Sequence, residues 1–402
     1  MRTTVRIEKL VYGGAGLARH EGQTMFVPFV LPGEQVEVDV SAGKAVSRGA
    51  PAAWVERSPG RAEPPCPVFA RCGGCHYQHI PYEHQGEFKQ EILRETLRRI
   101  GGLQWNDDIP VVSAEPWGYR NRSQLRFASL NGTVQTGFFA AGSHRLVAAD
   151  ECAVNSPALN RAHRVIAEMA ADRRFPRALR QLELVTNESQ LQINLPRRPG
   201  PMPGRFWRWC SERLGVDRPG APITFESRGD RFRVSGRSFF QVNRHLVGSL
   251  AEQAIGAAKG ALALDLYCGV GLLTVPLARR FSAVVGVDSG PSATRDLHAN
   301  AQKAGLPVRA VQMDVLEFLR GYGETPDLIV ADPPRAGLGD AVVEQLQRIG
   351  APRLRLVSCD PATLARDLKG LLAGGYEVET LALVDLFPQT YHVETVAALR
   401  CR

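Results

Sequence analysis

Long apolar runs are missing from this 402-residue chain. Its start, MRTTVRIEKL, carries no apolar segment of the kind that directs secretion, and its most apolar later stretch, ALALDLYCGVGLLTVPLA, is broken by Asp265. Neither a signal peptide nor a membrane span is therefore expected, which points to a cytoplasmic protein with no membrane partner. In that reducing compartment the eight cysteines read as metal ligands or catalysts rather than as disulfides. Internal repeats and low-complexity tracts are also absent, and 44% hydrophobic with 22% charged residues is the composition of a globular chain of two or three domains. Lysine is the third absence. Residues 161 to 237 contain none, against sixteen arginines and eight acidic residues, an excess of eight that equals the formal net charge of the whole chain, +8. Arginine makes bidentate contacts to phosphate and stacks on bases, so this stretch is read as an RNA- or DNA-binding region rather than a solubilising face.

Residues 1–60 alternate short β-type runs (TTVRIEKLV, MFVPFV, EQVEVDVSAG, AAWVERS) with turns at Gly13-Gly14, Pro32-Gly33 and Pro59-Gly60, the spacing of a small oligonucleotide-binding β-barrel. A proline-rich hinge, RAEPPCP, closes it. Residues 61–240 mix a helical period over 86–100, strands such as QLRFAS, TVQTGFFAA and QLQINL, and a helix near 158–171, which predicts an α+β domain. PGPMPGRFWRW, at 199–209, reads as an exposed loop. From 241 to 402 the β runs ALALDLYCG, AVVGVDS, VRAVQMD, DLIVADPP and RLRLVSCD each precede a helical segment, and YEVETLALVDLF and HVETVAALR add two final strands. Such alternation predicts a doubly wound, mostly parallel sheet with ligands at the carboxyl ends of its strands.

Chemistry-bearing residues gather at those strand ends. Asp265-Leu266-Tyr267-Cys268-Gly269-Val270-Gly271 leads from strand to helix, and Asp288 ends the next strand 19 residues after Gly269, placed for ribose hydroxyls. Asp314, ending VQMD, is spaced to meet an adenine edge, and Asp332-Pro333-Pro334-Arg335 ends the fourth strand. One strand later comes Ser358-Cys359-Asp360-Pro361. Asp360 is a good N-cap and Pro361 suits a first helical turn, so the thiol faces a helix N-terminus, a position that lowers its pKa. A small buried residue in a tight turn is the commoner use of a cysteine.

Acid-tipped strands followed by Asp-Pro-Pro resemble the S-adenosylmethionine-dependent class I methyltransferases. Cys359, the segment Asp385-Leu386-Phe387-Pro388-Gln389-Thr390-Tyr391-His392-Val393-Glu394 and Phe239-Phe240-Gln241-Val242-Asn243 further resemble, motif by motif and over essentially the whole chain, the RNA uracil-5 methyltransferases. That resemblance implies an α/β fold: a class I Rossmann-like catalytic domain, an N-terminal OB-like (TRAM-like) barrel and a central α+β domain. It implies Cys359 as a covalent nucleophile and Glu394 as a general base, with S-adenosyl-L-methionine contacted by Gln241, Tyr267, Asp288, Asp314 and Asp332. Leu272 departs from the polar residue often found in its loop, so no side-chain contact is carried over to it. The chemistry explains the residue types. Uracil C5 is a poor nucleophile until a thiolate adds to C6, and the C5 hydrogen must then be removed by a base.

A second thiol set, Cys66-x5-Cys72-x2-Cys75 with a remote Cys152, suits a 4Fe–4S cluster or, on spacing alone, a tetrahedral zinc. The family resemblance favours the iron–sulfur cluster, with a fold-holding or RNA-contacting role, since methyl transfer needs no redox step. Gly73-Gly74 would let the backbone wrap the inorganic core, and His76 and His79 read as packing or RNA contacts. Within the family, the barrel and the four cysteines favour 23S ribosomal RNA as the partner, with the transfer-RNA T-loop as the alternative and a monomer as the working unit. An RNA-binding assembly factor with a dead catalytic domain would lack Cys359, Glu394 or the acidic strand tips, and all are present. A radical enzyme would want an open iron site, which four cysteine ligands do not leave.

Overall fold

The computed structural model describes residues 2–41, 46–130, 133–195 and 202–402. Period-two alternation in the N-terminal region turns one face of each strand inward. Strands Arg2–Leu10, Ala15–His20, Gln23–Pro28, Gln35–Ser41 and Val46–Glu56 close into a barrel. Val5, Ile7, Ala18, Met25, Val27, Val36 and Val38 fill it. Ala15–His20 goes beyond the runs visible in the sequence: AGLARH has little β propensity and owes its conformation to pairing on both sides, with Arg2–Leu10 and Gln23–Pro28.

The central region holds a five-stranded sheet, in the order Leu191–Asn194, Gln181–Thr186, Arg122–Leu130, Thr133–Phe139, Leu146–Ala148. Helix Pro157–Ala171 buries Leu159, Ile166 and Met169 against it. The expectation of a loop over PGPMPGRFWRW is corrected from residue 204 onward, residues 199–201 lying outside the described residues. Gly204–Leu214 is a helix, because Phe206 and Cys210, four apart on one face, both bury in the same core. Pro203 and Gly215, which look like loop residues in the sequence, stand at its two ends.

The C-terminal sheet has eight strands, in the order Val308–Gln312, Phe281–Asp288, Gly260–Leu266, Leu328–Ala331, Arg353–Ser358, Thr395–Cys401, Tyr376–Val384, Val111–Val112. The first five are parallel and Thr395–Cys401 runs antiparallel to both neighbours. Leu328–Ala331 is buried throughout, as a strand covered by helices on both faces must be. The chain crosses from one side of Gly260–Leu266 to the other, so a crevice opens at the carboxyl ends of the central strands.

The segment before the central sheet also packs here. Helix Tyr82–Thr96, a π-helical turn Leu97–Gly101 and strand Val111–Val112 place Leu93, Leu97 and Ile109 in the core of the C-terminal sheet, while Ile92 packs with Leu10 and Leu31 of the barrel region. Sequence order groups residues 82–112 with the central region. Their apolar faces find their partners elsewhere.

Candidate active site

The crevice is built by turns at the sheet's carboxyl edge. After Gly260–Leu266 the backbone enters the left-handed region at Tyr267 (φ 62°), a strained conformation for a bulky residue. Gly269 N–H then donates to Asp288 Oδ2 at 3.0 Å, and Gly290 N–H donates to Asp288 Oδ1 at 2.7 Å. Asp288 thus staples two loops at the position where a ribose was expected. Asp314 caps helix Val315–Arg320, with Oδ1 accepting from Leu316 N–H at 2.9 Å and Glu317 N–H at 3.2 Å. Burial raises the Tyr267 phenol to about 12, with the Asp314 charge adding to the effect. Gln241 is buried and its Nε2 lies 3.4 Å from Asp332 Oδ2. Tyr267, Asp288, Asp314 and Asp332 therefore stand at or just past the carboxyl ends of four neighbouring strands, and Gln241 reaches them through Asp332.

Asp265, at the tip of the first strand, was not among them. Its carboxyl is buried and accepts from the Thr274 hydroxyl through Oδ2, while Oδ1 has no partner among the described residues. Burial pushes its pKa up to about 7, the Thr274 hydrogen bond opposing and Asp332 and Asp288 adding to the rise. An unpartnered buried carboxylate oxygen beside further acids is a receptor for a cationic group. S-adenosylmethionine, with its sulfonium and ammonium charges, fits that requirement.

Cys359 and Glu394, the residues expected to react, come together by strand register. Strand Arg353–Ser358 pairs antiparallel with Thr395–Cys401, Ser358 opposite Thr395. The next residue on one strand and the preceding one on the other, Cys359 and Glu394, therefore face each other at the sheet's edge. Glu394 is buried and Cys359 half-buried. The helix after Cys359 is capped as expected, Asp360 Oδ1 accepting from Ala362 and Thr363 N–H. The expected fall in thiol pKa is corrected, however: burial, then the Glu394 charge, raise Cys359 to about 11, with Arg335 pulling the other way and Asp332 adding to the rise. Desolvation and two carboxylates outweigh a helix terminus. Glu394 is itself raised well above the ordinary carboxylate range by burial and by Asp332, again with Arg335 opposing.

The loop that delivers Glu394 is clamped along its length. Lys89 Nζ lies 2.6 Å from Asp385 Oδ1, both side chains buried, and donates to the Phe387 carbonyl at 3.1 Å. Gln85 and Gln389 exchange hydrogen bonds, and the Tyr119 hydroxyl donates to the Pro388 carbonyl at 3.0 Å.

Comparison with known proteins bears directly on this arrangement. The model of the tRNA (uracil-5-)-methyltransferase family matches residues 319–402, that of a methyltransferase domain residues 263–350, and that of the TRAM domain residues 2–47. An uncharacterized RNA methyltransferase of Halalkalibacterium halodurans is 32% identical, covering 99% of this chain and 96% of its own. One of Streptomyces coelicolor is 36% identical, covering 98% and 92%. The solved tRNA (uracil-54, C5)-methyltransferase of Pyrococcus abyssi, in complex with S-adenosyl-L-homocysteine, superimposes with a TM-score of 0.77 at 26% identity over 99% of this chain and 100% of its own. The chain belongs to the RNA uracil-5 methyltransferase family. Its activity is the S-adenosylmethionine-dependent methylation of uracil C5 in RNA.

In this methyltransferase the second thiol set is also gathered. Cys66, Cys72, Cys75 and Cys152 line one cavity of about 330 Å³, together with Arg120 and Phe69. Burial raises the Cys75 thiol to about 12, and pushes Cys72 and Cys152 up as well. Among the described residues no group of three or more His, Cys, Asp or Glu side chains is arranged to hold a metal ion. Gly73 makes its close approach to protein: a Cβ there would lie 3.0 Å from the Ala141 backbone, and its N–H donates to the Phe139 carbonyl at 2.9 Å. His79 is buried with a ring nitrogen 3.2 Å from the Val30 carbonyl, and the His76 ring packs on Tyr391 at 4.6 Å. Both are packing residues here. No helix among the described residues is long and apolar enough to cross a membrane.

Three residues of this methyltransferase's site escaped notice in the sequence. Asp265 stood in view as a strand tip, Arg335 only as the residue after Asp-Pro-Pro, and Phe239 only as part of a motif. Phe239 is 56% exposed, two residues from buried Gln241, with the Arg122 guanidinium 5.8 Å from its ring centroid. Arg122 is remote from it in the chain, so the sequence carried no signal of that pairing.

Proposed function

We propose that this enzyme methylates uracil C5 through a covalent adduct on Cys359, with Glu394 as the base, and that its substrate is 23S ribosomal RNA. The observation that carries the reading is the antiparallel register that sets Cys359 against Glu394 beside Asp332. Cys359, once its proton has gone to water, forms a bond from Sγ to C6, and the C5–C6 π electrons move into the ring carbonyl as an enolate. S-adenosylmethionine supplies the methyl group as an electrophilic sulfonium. After C5 carries the methyl group, Glu394 takes the C5 hydrogen as a proton, the C5–C6 double bond reforms and the Sγ–C6 bond breaks. Arg335, exposed and opposing the rise of both pKa values, favours the ionised forms those steps require. Gln241, Tyr267, Asp288, Asp314 and Asp332 would hold the cofactor, with Asp265 facing its cationic part. Phe239 is offered to stack on a base.

We read Cys66, Cys72, Cys75 and Cys152 as ligands of a 4Fe–4S cluster. Four thiols lining one cavity supply the ligand number that such a cluster takes. When bound, such a cluster ties together two loops remote in sequence. All residues of the site come from one chain, so a cytoplasmic monomer suffices. Transfer RNA is the second reading for the substrate, favoured by the superposition of the whole chain, barrel included, on an enzyme of transfer RNA.

Tritium release from 5-tritiated uridine in unmodified 23S ribosomal RNA and in transfer RNA, side by side, tests the reading with wild type and Cys359→Ala. Release from ribosomal RNA alone, lost in the alanine variant, is expected. Release from transfer RNA alone would transfer the assignment to the T-loop. Undiminished release by Cys359→Ala would refute the covalent role.

A further inference from the structure

The barrel reaches the nucleophile. Its turn between Arg2–Leu10 and Ala15–His20 carries Tyr12, whose hydroxyl donates to Asp360 Oδ2 at 3.2 Å and stands 3.5 Å from the Cys359 carbonyl oxygen. Asp360 uses its other oxygen to cap the helix Pro361–Ala373, and its backbone is tied to the Ser358 hydroxyl. The turn bearing Cys359 is therefore held from inside by its own cap and from outside by a residue 347 positions away. The Tyr12 ring meets Tyr391 edge-on with centroids 5.4 Å apart, three residues before Glu394. Gly14 of the same barrel turn is in close contact on this side: a Cβ there would lie 2.9 Å from Tyr391 and 3.1 Å from His76. An accessory module tethered only to collect RNA would need no such fit at the catalytic loops.

We propose that Tyr12 is a positioning residue for the nucleophile, fixing the Cys359–Asp360 turn so that the barrel forms part of the frame of the active site. The proposal rests on Cys359 being the nucleophile. At 3.2 Å the hydroxyl–carboxylate bond is long, but a small displacement of a reacting group is costly in rate. RNA held by the barrel would then be registered against the thiol through one side chain.

The test uses the full chain and RNA carrying 5-fluorouridine, whose C5 fluorine cannot leave as a proton, so that the adduct persists on a denaturing gel. Tyr12→Phe keeps the ring and removes the hydroxyl. Its adduct formation should slow by roughly 10- to 100-fold, with RNA affinity and thermal midpoint unchanged. Lys9→Ala, which removes the barrel's ion pair with Glu95 (2.5 Å), should leave the adduct rate at the wild-type value. An unaltered rate in Tyr12→Phe, an equal slowing in both variants, or a parallel loss of RNA affinity would overturn the proposal. Adduct formation by Cys359→Ala would instead remove the nucleophile reading on which it stands.

Discussion

Two clusters of titratable groups lie partly or wholly buried in this protein, and they are held by different kinds of scaffold. Asp265, Asp332, Glu394 and Cys359 sit at the tips of neighbouring strands in one sheet, where hydrogen-bonded register sets each position relative to the next. Cys66, Cys72, Cys75 and Cys152 sit in turns and loops around a cavity, where nothing periodic relates them. Burial raises the pKa of Asp265, Asp332, Glu394 and Cys359 in the first and of Cys72, Cys75 and Cys152 in the second; in our reading a cationic cofactor completes the first and iron the second. In the acidic cluster burial raises Asp332 to about 7 against the Gln241 hydrogen bond, and neighbouring carboxylates add to burial at Asp265 and Glu394. In the thiol cluster Arg120 counteracts burial at Cys72, Cys75 and Cys152. A ligand set can tolerate a resident cation. Arg335 has the corresponding effect at Cys359 and Glu394.

The comparison is broken most severely at Glu394. Glu394→Gln should lower turnover by roughly 10²- to 10⁴-fold while Cys359 still reacts, so that the methylated RNA–protein adduct accumulates; denaturing gels during a single turnover would register it. Absence of that adduct would place proton removal elsewhere. In the thiol cluster Cys152→Ser should reduce bound iron and sulfide in anaerobically purified protein to background and lower the unfolding midpoint. Wild-type iron content in this variant, or zinc in the wild type, would end the cluster reading.

The smallest effect concerns pH. Asp265 is raised from an ordinary 3.8 to about 7, so the folded state holds its proton more tightly than the unfolded state. The resulting stability is full below pH 3.8 and is lost as pH rises through about 7. Asp332 contributes in the same direction. Thermal midpoints of the cofactor-free protein should fall across that window, and Asp265→Asn should flatten part of the slope. An unchanged slope would show that Asp265 is ionised throughout.

Legibility in the sequence followed the same division. Cys359 and Glu394 were singled out because their motifs resemble a family, and the parallel sheet was legible because its alternation of β and α segments is regular. The thiol pKa was misjudged because a helix N-terminus is visible in sequence, whereas burial beside Glu394 and Asp332 is not. Helix Gly204–Leu214 was hidden behind its prolines and glycines, and revealed only by the core that Phe206 and Cys210 enter. Lys89 carried no signal at all. Its meaning depends on Asp385, 296 residues later.

By itself the sequence determined the elements, the acidic strand tips, the cysteine spacing and the arginine-rich middle, because hydrophobic period, capping and side-chain chemistry are local properties. The tertiary structure alone decided that residues 82–112 join the C-terminal sheet, that Lys89 and Gln85 clamp the loop of Glu394, and that Tyr12 of the barrel touches the turn of Cys359. Those contacts join residues far apart in the chain, and their strength comes from burial and register, which exist only once the sheet has formed.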